Sequence, residues 1–112
     1  MLVLSDYGKG GLDYIQSMIA MAREKGIPVL VDPKGDDYDR YAGATLITPN
    51  RAELAQVTGQ WTGEEDLENR AQALRERLGL QALLLTRSEE GMTLFTQDGA
   101  LTVPAQAREV FD

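Results

Sequence analysis

Four polar segments hold the side chains that could do chemistry. They are Asp6-Tyr7-Gly8-Lys9-Gly10, Asp32-Pro33-Lys34-Gly35, Thr48-Pro49-Asn50-Arg51-Ala52-Glu53 and Thr86-Arg87-Ser88-Glu89-Glu90-Gly91. The third carries the sharpest spacing. With Asn50 at a helix start and Glu53 three residues on, the pair makes a capping box in which Asn takes the Ser/Thr place. The same helix start offers backbone N–H groups and a positive dipole end to an anion. A carboxylate beside a phosphate makes sense only with a cation between them, and a Mg²⁺ that keeps several of its waters fits there. Capping and anion binding both stand as readings of these residues.

The other three segments are also double-edged. Asp32 and Lys34 suit sugar hydroxyls or phosphate, while Pro33 and Gly35 suit an ordinary solvated turn. Asp6 and Lys9 sit in a glycine-rich loop whose backbone can approach a ligand closely. That loop is not a P-loop, because Lys9 is not followed by Ser or Thr. Thr86 and Ser88 can donate to phosphate oxygens and Arg87 can pair with them. The plain alternative is a polar turn leading into a hairpin. Trp61 and Tyr38 read as packing residues, and the charges at 64–66 and 75–77 as the solvated face of a helix.

Composition narrows the chemistry. The 112 residues contain no Cys and no His, so thiolate chemistry, disulfides, Ser-His-Asp triads and most zinc sites are excluded. Acid–base work falls to Asp, Glu, Lys or Tyr. The chain has 18 Asp plus Glu against 11 Lys plus Arg, a net charge of −7. It has no basic run to neutralise phosphates along a strand, so no nucleic-acid partner is expected. No apolar run approaches the roughly 20 residues that span a bilayer. The start lacks the features of a signal peptide, so a cytoplasmic location is expected.

The elements that must position these loops follow from periodicity. Leu2 to Ser5 reads as a buried strand, and Leu12, Ile15, Ile19 and Ala22 mark one face of a helix over about 11–25. Val29-Leu30-Val31 is a second strand, giving a βαβ unit with parallel strands. Lys34 to Tyr41 holds one short helical turn, and Ala44 to Ile47 is a third strand. A helix runs from Asn50 to about Val57. A longer one spans about 63–78, with Thr62 and Glu65 at capping-box spacing and Leu67, Ala71, Leu74 and Leu78 as its apolar stripe. Ala82 to Leu85 is a fourth strand. Alternation over 92–95 and 101–103, around Asp98-Gly99, then signals a hairpin. The fold class is α/β: a Rossmann-like parallel sheet with flanking helices and a C-terminal antiparallel hairpin. In such sheets ligands bind beyond the carboxyl ends of the strands, where all four polar segments fall.

Taken in this order, the four segments resemble the ribokinase-type (PfkB) carbohydrate kinases. Asn50-Arg51-Ala52-Glu53 matches that family's Asn-x-x-Glu motif, and Thr86 to Gly91 stands where it has a Thr-x-Gly-x-x-Gly nucleotide loop. Within the family, Leu4 to Gly10, Val31 to Gly35 and Leu85 to Met92 are similar to the branch of heptose 7-phosphate kinases. That branch occurs as one domain of bifunctional heptose kinase/adenylyltransferases of lipopolysaccharide precursor synthesis. The resemblance implies a partial ribokinase-like fold and ATP- and Mg²⁺-dependent phosphorylation of D-glycero-D-manno-heptose 7-phosphate at C1. It implies that Asn50, Arg51, Ala52, Glu53, Arg87 and Ser88 bind nucleotide, with Glu53 reaching the metal through water. Asp6, Lys9, Asp32 and Lys34 would face the cleft. The alternatives are another ribokinase-type sugar or nucleoside kinase, or a non-catalytic α/β interaction module.

The sequence also departs from the family pattern. Arg87-Ser88 replaces the family's x-Gly. The motif Asp-x-x-Gly-Ala-Gly-Asp, which supplies the anion hole and catalytic base in the family, has at most its first residue here, Asp112. The expectation is therefore a central fragment over 1–112, truncated at both ends and inactive alone, with the base lying beyond Asp112. Uncovered strand edges invite pairing, so a homo-oligomer is expected.

Overall fold

The computed structural model describes residues 1–5, 12–35 and 37–104. Among these residues six strands and three α-helices follow in the order β1 Leu2–Ser5, α1 Leu12–Glu24, β2 Val29–Asp32, β3 Leu46–Ile47, α2 Arg51–Thr58, α3 Glu64–Leu78, β4 Ala82–Thr86, β5 Met92–Thr96 and β6 Gly99–Val103. Short 3-10 turns occupy Tyr38–Tyr41 and Ser88–Glu90. The strands form one mixed sheet, in the spatial order β1-β2-β3-β4-β5-β6. β1 to β4 run parallel, and β5 and β6 are antiparallel to their neighbours. The expected change from parallel units to a hairpin is thus present.

One row of side chains explains why the sheet holds. Val31, Ile47, Leu83 and Phe95 are register partners across four strands, and each is 1% exposed or less. Ile15, Ile19 and Ala22 of α1 and Leu67, Ala71, Leu74 and Leu78 of α3 join the same core, as their helical spacing requires. Each large side chain buried this way contributes about 1.5–3 kcal/mol. On the opposite face Leu30, Leu46, Leu84 and Leu94 are only half-buried. Continuous apolar runs such as Leu83-Leu84-Leu85 suggest strands covered on both faces. Among the described residues, one face is covered.

Several sequence expectations need correction. β1 is an edge strand and not a buried one: Leu4 is buried, but Val3 is 61% exposed. β3 is two residues long, and just before it the Thr45 Oγ1 accepts from the Val29 N–H at 2.8 Å. Thr62 and Glu65 form no capping box. The N-cap of α3 is Gly63, without a side-chain cap, and Thr62 donates its N–H to the Asp66 carboxylate at 2.9 Å. Arg75 does not lie on a solvated face. It is 8% exposed, with Nη1 donating to the Leu80 carbonyl at 3.2 Å and Nε to Gln72 at 2.7 Å. The hairpin turn is Gln97-Asp98, since Gly99 already pairs with Thr96.

Candidate functional site

The carboxyl ends of β2, β3 and β4 lie side by side, which brings three of the four polar segments together. The fourth, holding Asp6 and Lys9, lies outside the described residues, as does Asp112. Where β3 runs into α2, Thr86 donates its N–H to the Pro49 carbonyl at 3.0 Å, and Asn50 and Thr86 form a parallel bridge. This pins the start of α2 to the end of β4.

The first turn of α2 is closed from within. Asn50 has extended backbone, and its side chain accepts from the Glu53 N–H at 2.8 Å. In return the Glu53 Oε1 accepts from the Asn50 N–H at 2.9 Å. The expected capping box is therefore complete. The second oxygen, Oε2, takes the Lys34 ammonium at 3.3 Å. Lys34 is the more exposed partner, with 47% of its side chain accessible against 18% for Glu53. Arg51 and Ala52 are exposed beside them.

A clamp behind Lys34 was not anticipated. The Tyr41 hydroxyl accepts from the Lys34 N–H at 3.0 Å and lies 3.2 Å from the Lys34 carbonyl, to which it donates. Arg40 also donates to that carbonyl, at 3.0 Å. Tyr41 packs edge to face on Tyr38, with ring centroids 5.3 Å apart. Tyr38 is buried, as a packing residue should be. Burial first, then the Glu53 carboxylate, then Tyr41 and Asp32, hold its phenol well above the usual range. Asp32, at the end of β2, is partly exposed. The sequence signal for the clamp is two tyrosines three residues apart, just after a strand-end turn.

The loop after β4 ties α2 and α3 together. Arg51 pairs with Glu90 at 3.2 Å. Arg87 is 8% exposed and directs its guanidinium at the Glu64 carboxylate, with Nη1 3.0 Å from Oε1, and also donates to Thr93 Oγ1 at 3.1 Å. That bond from Arg87 holds the Glu64 carboxyl below the usual carboxylate range, and Glu64 in turn raises Arg87. Ser88 sits exposed at φ 54, the left-handed region that glycine adopts freely. The loop therefore keeps a glycine-like conformation at the position where Ser88 stands.

The chain matches the description "pfkB family carbohydrate kinase" over residues 7–112. It belongs to that family. It is 59% identical over 111 residues to a D-beta-D-heptose 7-phosphate kinase of Bordetella bronchiseptica, covering 99% of this chain and 36% of that protein. It is 58% identical over 112 residues to the bifunctional protein HldE of Hahella chejuensis, again over 99% of this chain but 24% of the relative. The chain thus spans between a quarter and about a third of these relatives. Among solved structures, a phosphofructokinase-2 mutant from Escherichia coli superposes with a TM-score of 0.79 at 21% identity, over 92% of this chain and 36% of that one. A ribokinase of Arabidopsis thaliana complexed with ribose and ATP gives 0.78 at 21% identity, over 93% of this chain and 34% of that one. These two establish the ribokinase-like fold.

Proposed function

We propose that this chain is the nucleotide-handling segment of an ATP-dependent kinase that phosphorylates D-glycero-D-manno-heptose 7-phosphate at C1. The observation that carries the reading is the Asn50–Glu53 box with Lys34 on its outer oxygen, at the carboxyl edge of a parallel sheet. A helix N-terminus there presents N–H groups to phosphate oxygens. Lys34 adds an exposed positive charge, and Arg51 and Ala52 bring the backbone of the first turn. Asp32 flanks the cleft. Arg87 and Ser88 set the course of the loop along the nucleotide. The family membership and the heptose kinase relatives support this assignment of sugar and phosphate donor.

The donor set suits a hydrated metal. Among the described residues no three acidic or otherwise ligating side chains cluster tightly enough to bind an ion directly. Mg²⁺ keeps several waters and uses one or two carboxylates plus substrate phosphates. Glu53, with Asp32 nearby, would hold it through water, and the ion would neutralise charge on the transferring phosphoryl group. In the reaction the sugar oxygen bonds to the γ-phosphorus as the bridge to the β-phosphate breaks, and positioning supplies most of the acceleration. The proton acceptor is assigned to none of the described residues.

A second reading also has an observation behind it. Both Glu53 oxygens are already satisfied within the chain, as a purely structural cap would have them. Glu53→Gln in the full-length protein separates the two, since Gln keeps the acceptor for the Asn50 N–H and loses the charge. The kinase reading expects Mg·ATP affinity to fall about tenfold or more, with folding intact, and turnover of heptose 7-phosphate to fall with it. Unchanged Mg·ATP titration would leave only the cap.

A further inference from the structure

One carboxylate oxygen faces two cations at the loop after β4. Glu90 Oε1 lies 3.2 Å from Arg51 Nη1 and 3.6 Å from Arg87 Nε. Arg51 opens α2 and Arg87 follows β4, so this oxygen joins two of the polar segments. An anionic oxygen between two guanidinium groups is the chemistry of a phosphate site. Here the protein's own carboxylate fills it.

The fit is incomplete. Arg87 is 8% exposed, and its Nη1 and Nη2 both go to Glu64, with Nη1 also donating to Thr93. Its Nε is buried and makes no hydrogen bond among the described residues. At 3.6 Å, Glu90 is too far to accept from it. Buried donors are normally matched, and leaving one unmatched is unfavourable. The turn itself does not need the Glu90 side chain. Its backbone closes it, with the Glu90 N–H donating to the Arg87 carbonyl at 2.9 Å and the Arg87 N–H to the Gly91 carbonyl at 2.7 Å. The Arg51–Glu90 pair is about half exposed on both sides, at 46% and 52%. Such pairs are weak and exchange readily for a better anion.

We propose that Glu90 is an internal competitor for a ligand's phosphate group: its carboxylate occupies the place between Arg51 and Arg87 and is displaced when a phosphate enters. A phosphate brings more charge and more acceptor oxygens than a carboxylate, so it can match the Arg87 Nε that Glu90 leaves open. Until Glu90 leaves, its like charge opposes the arriving anion. The device therefore favours a strongly anionic ligand over a weak one. Nucleotide and sugar phosphate share this chemistry. The inference rests on the kinase reading above and gives a function to a residue which that reading leaves without one.

The test is Glu90→Gln in the full-length protein, titrated calorimetrically with Mg·ATP and, separately, with heptose 7-phosphate. Gln keeps the shape and loses the charge. The expected result is a Kd lowered about fivefold for one of the two ligands, which identifies the source of the phosphate. Glu89→Gln removes the neighbouring exposed charge and should change either Kd by less than about twofold. In an Arg51→Ala background the gain from Glu90→Gln should vanish, because one of the two cations is gone. An unchanged or raised Kd for both ligands would overturn the proposal and leave the kinase reading standing. An equal gain in Glu89→Gln would reduce the effect to diffuse charge and overturn it too, as would a Glu90→Gln protein that fails to fold. Wild type and Glu90→Gln that both bind neither ligand would remove the kinase reading, and this inference with it.

Discussion

The two helices that follow β3 begin in contrasting ways. α2 is sealed by its own side chains, Asn50 and Glu53 exchanging bonds across one turn. α3 starts at Gly63, which has no side chain to offer, and carries Glu64, Glu65 and Asp66 in its first turn. Those carboxylates leave the helix N–H groups uncapped and bond elsewhere. Asp66 reaches back to the Thr62 N–H and is held below its usual range by that bond and by Arg70. Glu64 reaches out to Arg87, on the loop after β4. The first turn of α2 thus keeps its acid at home, beside an exposed lysine. α3 spends its acid on tying the hairpin to the helical layer. The difference separates a turn closed by its own side chains from one tied to the loop after β4.

The largest way to break this contrast is Arg87→Ala. It removes the guanidinium that joins Glu64 to Thr93 and should destabilise the fold by about 2 kcal/mol, discounted for the exposure of Glu64. Urea unfolding reads it, and a loss under about 0.5 kcal/mol would show that the link is ornamental. The same pair predicts an acid dependence. The folded-state pKa of Glu64 is depressed, so its contribution is present above the usual value of 4.5 and is lost as pH falls through the lower folded value. Stability should drop more steeply below that pH in wild type than in Glu64→Gln.

Asn50→Ala comes next. Loss of a complete box should cost about 1 kcal/mol, against almost nothing for Thr62→Ala, whose hydroxyl caps no helix N–H. Equal effects at the two positions would erase the distinction. The smallest effect sharpens it from the other side. Gly63 has extended backbone, and a Cβ there meets nothing within 4 Å. Gly63→Ser should therefore supply the missing cap and raise stability by about 0.3 kcal/mol, measurable as a shift in the urea midpoint.

How much of this could be read in advance depends on sequence distance. The Asn50–Glu53 box was legible because both its bonds close within one turn. Thr62–Glu65 has the same spacing and misled, because Asp66 captured the Thr62 N–H and moved the helix start past a glycine. The contacts that assemble the site join residues far apart in the chain, Lys34 to Glu53 and Arg87 to Glu64. No local pattern announces such pairs. Arg75 was misjudged for a related reason: its charge spoke for solvent, while its position in the last turn of α3 let it serve buried acceptors. Apolar runs identified β1 and β4 as strands, but runs cannot tell how many faces of a sheet are covered.

Tyr41 has one more consequence, for time rather than energy. Its hydroxyl holds both the N–H and the carbonyl of Lys34. The backbone is thereby a fixed pivot, which leaves any movement of Lys34 to its side chain. Rotamer changes of an exposed lysine take picoseconds to nanoseconds, whereas loop rearrangements are slower by orders of magnitude. On the function proposed above, delivery of that charge to an arriving phosphate should then never limit the association rate.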